Sequence, residues 1–281
     1  MTIKDVLLPL TSYPTPTETH AIESAVALAG SFGAQVSAIA FEMDIQSPVG
    51  LYVDPLGVGG VLAADRKKSA DNARNLLSTF ESIATRHGIA HDHSLQRCKP
   101  LEIPGYVVSE ARFCDIAVVA LRDTDPAERD IAEQLVFESG RPILIFPGDS
   151  KREVATSFKN VGVAWDLSRP SARAIADALP ILQQARQVRV FTVIDDKPID
   201  KSKSGVKLAR YLARHGVEVV LEEVASNGQP IGAVFEAHVN KHNIDLLVMG
   251  AYGHSRMREF ILGGATNSIL NSPPTWVLLS H

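Results

Sequence analysis

A short passage of this chain occurs twice. Pro100-Leu101 is followed fifteen residues later by Asp115 and the apolar run Ile116-Ala117-Val118-Val119-Ala120. In the second occurrence, 130 positions on, Pro230-Ile231 leads to Asp245 and Leu246-Leu247-Val248-Met249-Gly250. The closing segments agree as well: Ser139-Gly140-Arg141-Pro142-Ile143-Leu144-Ile145-Phe146 parallels Ser272-Pro273-Pro274-Thr275-Trp276-Val277-Leu278-Leu279. The openings match more faintly, Asp5-Val6-Leu7-Leu8-Pro9-Leu10 facing Asn160-Val161-Gly162-Val163-Ala164-Trp165. A shared order of paired segments implies two copies of one unit. The expected division is 1–147 and 159–281, joined by the polar linker 148–158, GDSKREVATSF.

Within each copy, short apolar runs alternate with stretches of helical period. In the second copy the runs fall at 161–165, 188–194, 217–224, 245–250 and 275–279; in the first they fall at 5–10, 35–41, 89–96, 115–120 and 142–146. Between the runs of the second copy, 170–185, 202–215, 230–243 and 262–271 place Ala, Leu, Ile and Val three or four residues apart. Five strands alternating with four helices predict an α/β unit with a parallel sheet covered on both faces. Right-handed crossovers then restrict it to a doubly wound sheet. The first copy carries an extra stretch of about 20 residues around Pro48 to Ala64, long for a connection in a compact domain. Its glycines, Gly57, Gly59 and Gly60, lack dinucleotide-fingerprint spacing and predict a flap or contact surface.

Composition narrows the function classes. Apolar residues make up 45% of the 281, enough for a packed core, and 28 basic against 32 acidic side chains leave a net charge of −4. That balance disfavours nucleic-acid binding, which needs a basic face. Two cysteines, Cys98 and Cys114, cannot build a disulfide framework and suit a reducing compartment. No run approaches the ~18 apolar residues that span a bilayer. The opening MTIKDVLLPLTSYP has an apolar patch, broken by Pro9, that is too short for a signal-peptide core. A soluble, cytoplasmic protein without membrane contact is expected.

The chemistry concentrates in Met249-Gly250-Ala251-Tyr252-Gly253-His254-Ser255-Arg256-Met257-Arg258-Glu259-Phe260-Ile261-Leu262-Gly263-Gly264-Ala265-Thr266, between a predicted strand and a predicted helix. Glycines let a ligand approach the backbone, and amides at Gly263-Gly264 with the positive end of a helix attract phosphate. Thr266 would add a hydroxyl, and His254, Arg256 and Arg258 could lie over the anion as cations. Read without a ligand, the glycines serve tight packing and the cations are exposed loop charges.

The order Gly250-x2-Gly253-x9-Gly263, a small residue, then Thr266 resembles the nucleotide-binding signature of the universal stress protein family. Val163-Ala164-Trp165-Asp166-Leu167-Ser168-Arg169-Pro170-Ser171-Ala172 is similar to that family's first strand and helix start. The resemblance covers the second copy and extends faintly over the first, suggesting a tandem member. It implies two Rossmann-like five-stranded sheets of order 3-2-1-4-5, with ATP or a related adenine nucleotide, and with it Mg²⁺, held in the second. Ala164 and Asp166 would lie by the adenosine, Val193 would offer backbone contact to adenine, and Met249 and Gly250 would flank the ribose. Gly253, His254, Gly263, Gly264, Ala265 and Thr266 would surround the phosphates. Many nucleotide-binding members have Ser or Thr where this chain has Gly264, which removes one hydroxyl contact and weakens binding by about 0.5–1.5 kcal/mol, or twice that to a charged group. The resemblance further implies that 142–146 and 275–279 pair within the chain as a pseudo-dimer, with a further homodimer and an unknown protein partner left open. A rival reading is a scaffold with a vestigial pocket that binds a protein or small apolar ligand through 48–64.

The first copy departs from the signature. Ala120 and Asp123 replace Gly250 and Gly253, and Asp123, Asp125, Glu128, Asp130 and Glu133 make the segment acidic, which predicts phosphate repulsion. Thr11 and Ser12 stand where Asp166 does. Asp166 itself could instead cap the helix near Pro170, as could Ser168. His87, His91 and His93 near Cys98 lack a completing ligand pair, so no metal site is expected there. Lys203, Lys207, Arg210 and Arg214 read as the wet face of a helix. No Gly-x-Ser-x-Gly elbow, Walker lysine or His-Glu-x2-His pair occurs, so no catalytic residue is assigned, and slow ATP hydrolysis is the most the chain should show.

Overall fold

The computed structural model describes residues 2–45, 58–122, 125–148, 156–194, 202–251 and 264–281. The first half runs β1 (Asp5–Leu10), α1 (Thr19–Phe32), β2 (Gln35–Met43), α2 (Val58–Arg86), β3 (His91–Cys98), a 3-10 turn Pro100–Glu102, α3 (Ile103–Ala111), β4 (Ile116–Leu121), α4 (Pro126–Glu138) and β5 (Ile143–Pro147). The second runs β6 (Asn160–Ala164), α5 (Arg169–Leu182), β7 (Gln187–Val193), α6 (Ser202–Arg214), β8 (Val219–Val224), α7 (Ile231–His242), β9 (Leu246–Gly250), α8 (Gly264–Asn271) and β10 (Trp276–Ser280). The predicted strands lie within two residues of these limits; the inner strands are apolar runs buried on both faces, whereas the edge strands β3 and β8 are largely exposed.

The strands form one sheet of order β3-β2-β1-β4-β5-β10-β9-β6-β7-β8, so each half reads 3-2-1-4-5 outward from its own first strand. Every neighbouring pair is parallel except β5 with β10, which run antiparallel in the register Val277↔Ile145, Leu278↔Leu144 and Leu279↔Ile143. The two sheets are therefore fused into one of ten strands rather than standing apart. All of Ile143, Leu144, Ile145, Val277, Leu278 and Leu279 are fully buried at this seam. Phe146 stacks on Trp276 beside it, ring centroids 4.1 Å apart.

Two apolar layers cover the sheet. One joins Ile22 of α1, Phe80 of α2, Ile175 of α5 and Leu212 of α6 to sheet residues such as Leu144 and Leu278. The other joins Val107 of α3, Leu135 of α4, Phe235 of α7 and Ile269 of α8 to Ile143, Ile145 and Leu279. Each layer contains residues of both halves, so the core is continuous across the seam.

The repeated aspartate has a structural cause. Asp115 Oδ2 accepts from the amides of Lys4 and Asp5 at 2.7 and 3.1 Å. Asp245 likewise accepts from Lys159 at 2.8 Å and Asn160 at 3.1 Å. In each half this carboxylate satisfies backbone donors that no neighbouring strand reaches at the start of the central strand. The insertion departs from expectation: residues from Val58 on extend α2 to 29 residues against 13 for α6, so Gly59 and Gly60 begin a helix, not a flap. Gly57 and the rest of 46–57 lie outside the described residues. Among the described residues no helix is long and apolar enough to cross a membrane.

Candidate functional site

Strand order reverses between β6 and β9, and open α/β sheets place ligands outside the carboxyl ends of the strands at such a point. Ala164 ends β6 there, paired with Phe191 on one side and Met249 on the other. Trp165 follows, its Nε1 donating to Ser204 Oγ at 3.2 Å. Half-buried Asp166 accepts the Ser168 amide on Oδ1 at 3.0 Å, which folds the next residue back. Leu167 consequently has φ of +65°, a left-handed conformation that costs a side-chain-bearing residue ~1–2 kcal/mol. Ser168, not Asp166, caps α5, accepting the Ser171 amide at 3.2 Å.

On the other side of the crevice Met249 is buried and Gly250 ends β9. A Cβ at Gly250 would lie 2.3 Å from Ser171 N and 2.5 Å from Pro170 C, both backbone atoms of α5. Close packing of α5 on β9 thus demands this glycine before any ligand does. Val193 is buried at the end of β7, paired with Val224.

Gly264, Ala265 and Thr266 form the first turn of α8. Gly264 is exposed, and among the described residues a Cβ there would meet nothing nearer than Ile231 Cγ2 at 3.7 Å. Thr266 is buried at 2% exposure. Gly232 admits the other flank of α8, since a Cβ there would fall 1.8 Å from Ser268 Oγ. Arg129 of α4 reaches across from the first half, donating to Asn267 Oδ1 at 2.8 Å and to Asn271 Oδ1. Gly253, His254 and Gly263, with Arg256 and Arg258, lie outside the described residues.

The equivalent point in the first half, between β1 and β4, is filled. Arg122 lies buried there, its guanidinium donating to Glu128 Oε1, to Asp125 Oδ2 at 2.9 Å, and to the carbonyls of Thr15 and Pro16 at 3.1 and 3.2 Å. The remaining cavity is about 10 Å³, lined by Leu8, Thr11, Thr17, Val119 and Glu128 among others, which is room for about one water. Of the acids expected to repel phosphate, Asp125 and Glu128 are committed to Arg122, while Asp130 is exposed. Asp125 caps α4 through the Ala127 amide at 3.0 Å and, with Glu128, is turned inward onto Arg122. Burial raises the Glu128 carboxyl, against the opposing pull of Arg122. Ser12 is likewise committed, donating to Phe41 O at 2.6 Å. Asp123 lies outside the described residues.

The histidines near Cys98 do not converge. His87 lies 3.8 Å from Glu23, His91 Nδ1 contacts Ile89 O at 2.8 Å, and His93 lies 3.3 Å from Glu81. A different set does converge and escaped sequence reasoning: Glu222 of β8 with His238 and His242 of α7. The Nε2 atoms of His238 and His242 lie 3.4 and 3.5 Å from Glu222 Oε2, and Arg189 of β7 holds Oε1 at 2.5 Å. His238 is buried, and desolvation, followed by the charge of His242, pushes its imidazole down to about 4. The i, i+4 histidine pair was the available signal, but its carboxylate partner sits sixteen residues away on another element.

The sequence model of the universal stress protein family matches residues 157–281. A universal stress protein from Archaeoglobus fulgidus DSM 4304 has a TM-score of 0.69 at 17% identity, over 98% of this chain and 95% of that one. A functionally unknown protein from Pseudomonas aeruginosa PAO1 gives 0.57 at 13% identity, over 99% and 92%. A universal stress protein assigned from Pseudomonas aeruginosa UCBPP-PA14 gives 0.55 at 15%, over 99% and 93%. These likenesses establish a shared fold along the whole chain. No curated protein matches it.

Proposed function

We propose, from the match of residues 157–281 to the universal stress protein family model, that the C-terminal half of this chain binds ATP or a related adenine nucleotide and acts as a nucleotide-responsive module in a stress response. The nucleotide lies where strand order reverses between β6 and β9. Ala164 and Asp166 stand by the adenosine, Val193 by the adenine, and Met249 and Gly250 by the ribose. Gly253, His254, Gly263, Gly264, Ala265 and Thr266 surround the phosphates, and Mg²⁺ accompanies them.

The observation that carries this reading is the contrast between the two reversal points. The first is closed to about 10 Å³ around a buried Arg122, whereas the second carries the glycine-bearing sequence and a start of α8 at which, among the described residues, a Cβ on Gly264 would meet only Ile231 Cγ2 at 3.7 Å. Amides at that start, together with the helix dipole, suit phosphate oxygens. The residues fit the group: Gly264 brings no side chain of its own to the first turn, and half-buried Asp166 follows the end of β6. A signal at α8 reaches the first half through Arg129, which is how binding would bias contacts with a partner protein.

Calorimetry with ATP and AMP tests the proposal. Wild type should give saturable heat that Gly263→Val abolishes. No saturable heat from wild type, or equal heats from both proteins, would overturn it.

A further inference from the structure

We infer that Glu222, His238 and His242 form a binding site for a divalent transition metal of the zinc type, built on β8 and α7 at the outer edge of the sheet. His238 and His242 stand one turn apart on α7, so both imidazoles leave the same face of the helix. β8 brings Glu222 opposite that face, and the three donor atoms all lie within 4.8 Å of one another.

The two carboxylate-to-imidazole distances are those of a coordination shell. A tetrahedral zinc with bonds of 2.0–2.1 Å to nitrogen and oxygen separates its ligand atoms by about 3.4 Å. The two imidazole nitrogens stand 3.4 and 3.5 Å from the carboxylate oxygen. Neither His238 Nε2 nor Glu222 Oε2 has a hydrogen-bond partner, although both atoms are buried. The His238 side chain is 4% exposed, and buried polar atoms are ordinarily satisfied. One ion would satisfy both at once.

The other carboxylate oxygen is already fixed by Arg189, which aims Oε2 at the histidines in the way an outer-shell partner orients a metal ligand. Two imidazoles and one carboxylate suit zinc and its neighbours, whereas calcium and magnesium require oxygen ligands in larger number. Three protein ligands leave a fourth position for water or an anionic oxygen. The cluster borders an open groove of about 550 Å³ that Asn227, Gln229 and Lys241 also line. Arg189 opposes a cation electrostatically, so affinity should fall short of a closed structural site.

The test is equilibrium dialysis of the full-length protein against Zn²⁺, with Co²⁺ as a spectroscopic probe. Wild type should take up one zinc per chain at this site, and cobalt should show the intense visible absorption of a four-coordinate N/O site. His242→Ala should weaken zinc binding at least tenfold with an unchanged circular dichroism spectrum. His242→Cys, which supplies another zinc ligand, should restore it with a cobalt–thiolate band. His91→Ala, at a histidine outside the cluster, should bind as wild type does. Absence of saturable zinc, or equal binding by wild type and His242→Ala, would overturn the assignment. So would failure of His242→Cys to develop the thiolate band.

Discussion

Arg122 Nη2 lies 2.5 Å from Glu128 Oε1, and both side chains are almost completely shielded from water. Removing one member of such a pair strands the other's charge in the interior, at about 3–5 kcal/mol. Arg122→Ala should therefore lower unfolding free energy by about that amount in urea titrations. Replacing Arg122, Asp125 and Glu128 together by apolar residues should cost much less. A loss below ~1 kcal/mol for the single variant would mean that water or another cation reaches the carboxylates.

The two glycines flanking the candidate nucleotide crevice should respond oppositely to alanine. At Gly250 the new methyl would press on backbone of α5 at 2.3 Å, and overpacking of this kind costs about 1–3 kcal/mol. At Gly264 the nearest atom among the described residues stands 3.7 Å away, so Gly264→Ala should change stability by no more than ~0.5 kcal/mol. Thermal melts of the two variants distinguish these outcomes.

The fused sheet should unfold as one unit. Leu278 pairs with Leu144 across the seam, and neither is exposed. Leu278→Ala should cost about 2–5 kcal/mol. Tryptophan fluorescence, which reports Trp165 and Trp276, should follow the same guanidinium transition as far-ultraviolet circular dichroism in the wild type. Separate midpoints would show two independently stable halves.

Burial pushes the thiols of Cys98 and Cys114 up to about 11 from an ordinary 9.0. A raised thiol value means less thiolate at any pH below it. At pH 8 the reactive fraction is about a hundredfold smaller than for a free cysteine. Alkylation of the native protein should be slow at pH 8 and rise steeply only towards pH 11, whereas the urea-unfolded chain should react at the ordinary rate. Fast labelling of the folded protein at pH 8 would contradict the burial of both groups.

Much of this architecture was written in local patterns. Apolar runs such as Leu246 to Met249, alternating with stretches of helical period, read as strands buried on both faces, and the paired aspartates Asp115 and Asp245 marked equivalent points in the two halves. The closing of the first crevice was not legible. Arg122 looks like one more loop charge until tertiary structure folds Asp125 and Glu128 around it. The packing demand on Gly250 was not legible either, because it comes from α5, which packs on β9 from eighty residues earlier in the chain. Asp166 and Ser168 divided a task that the sequence could assign to either. The convergence of Glu222 on His238 and His242 depends on strand register, which composition does not encode.

The grip of Arg129 on Asn267 and Asn271 binds a helix of one copy to a helix of the other. Neither copy can shift that helix alone: any tilt or slide of α8 must drag α4 along or break the clasp. The two halves thus share more than a strand order: they share a clasp. The half whose own crevice is plugged is thereby anchored to the helix that opens beside the candidate site in the other.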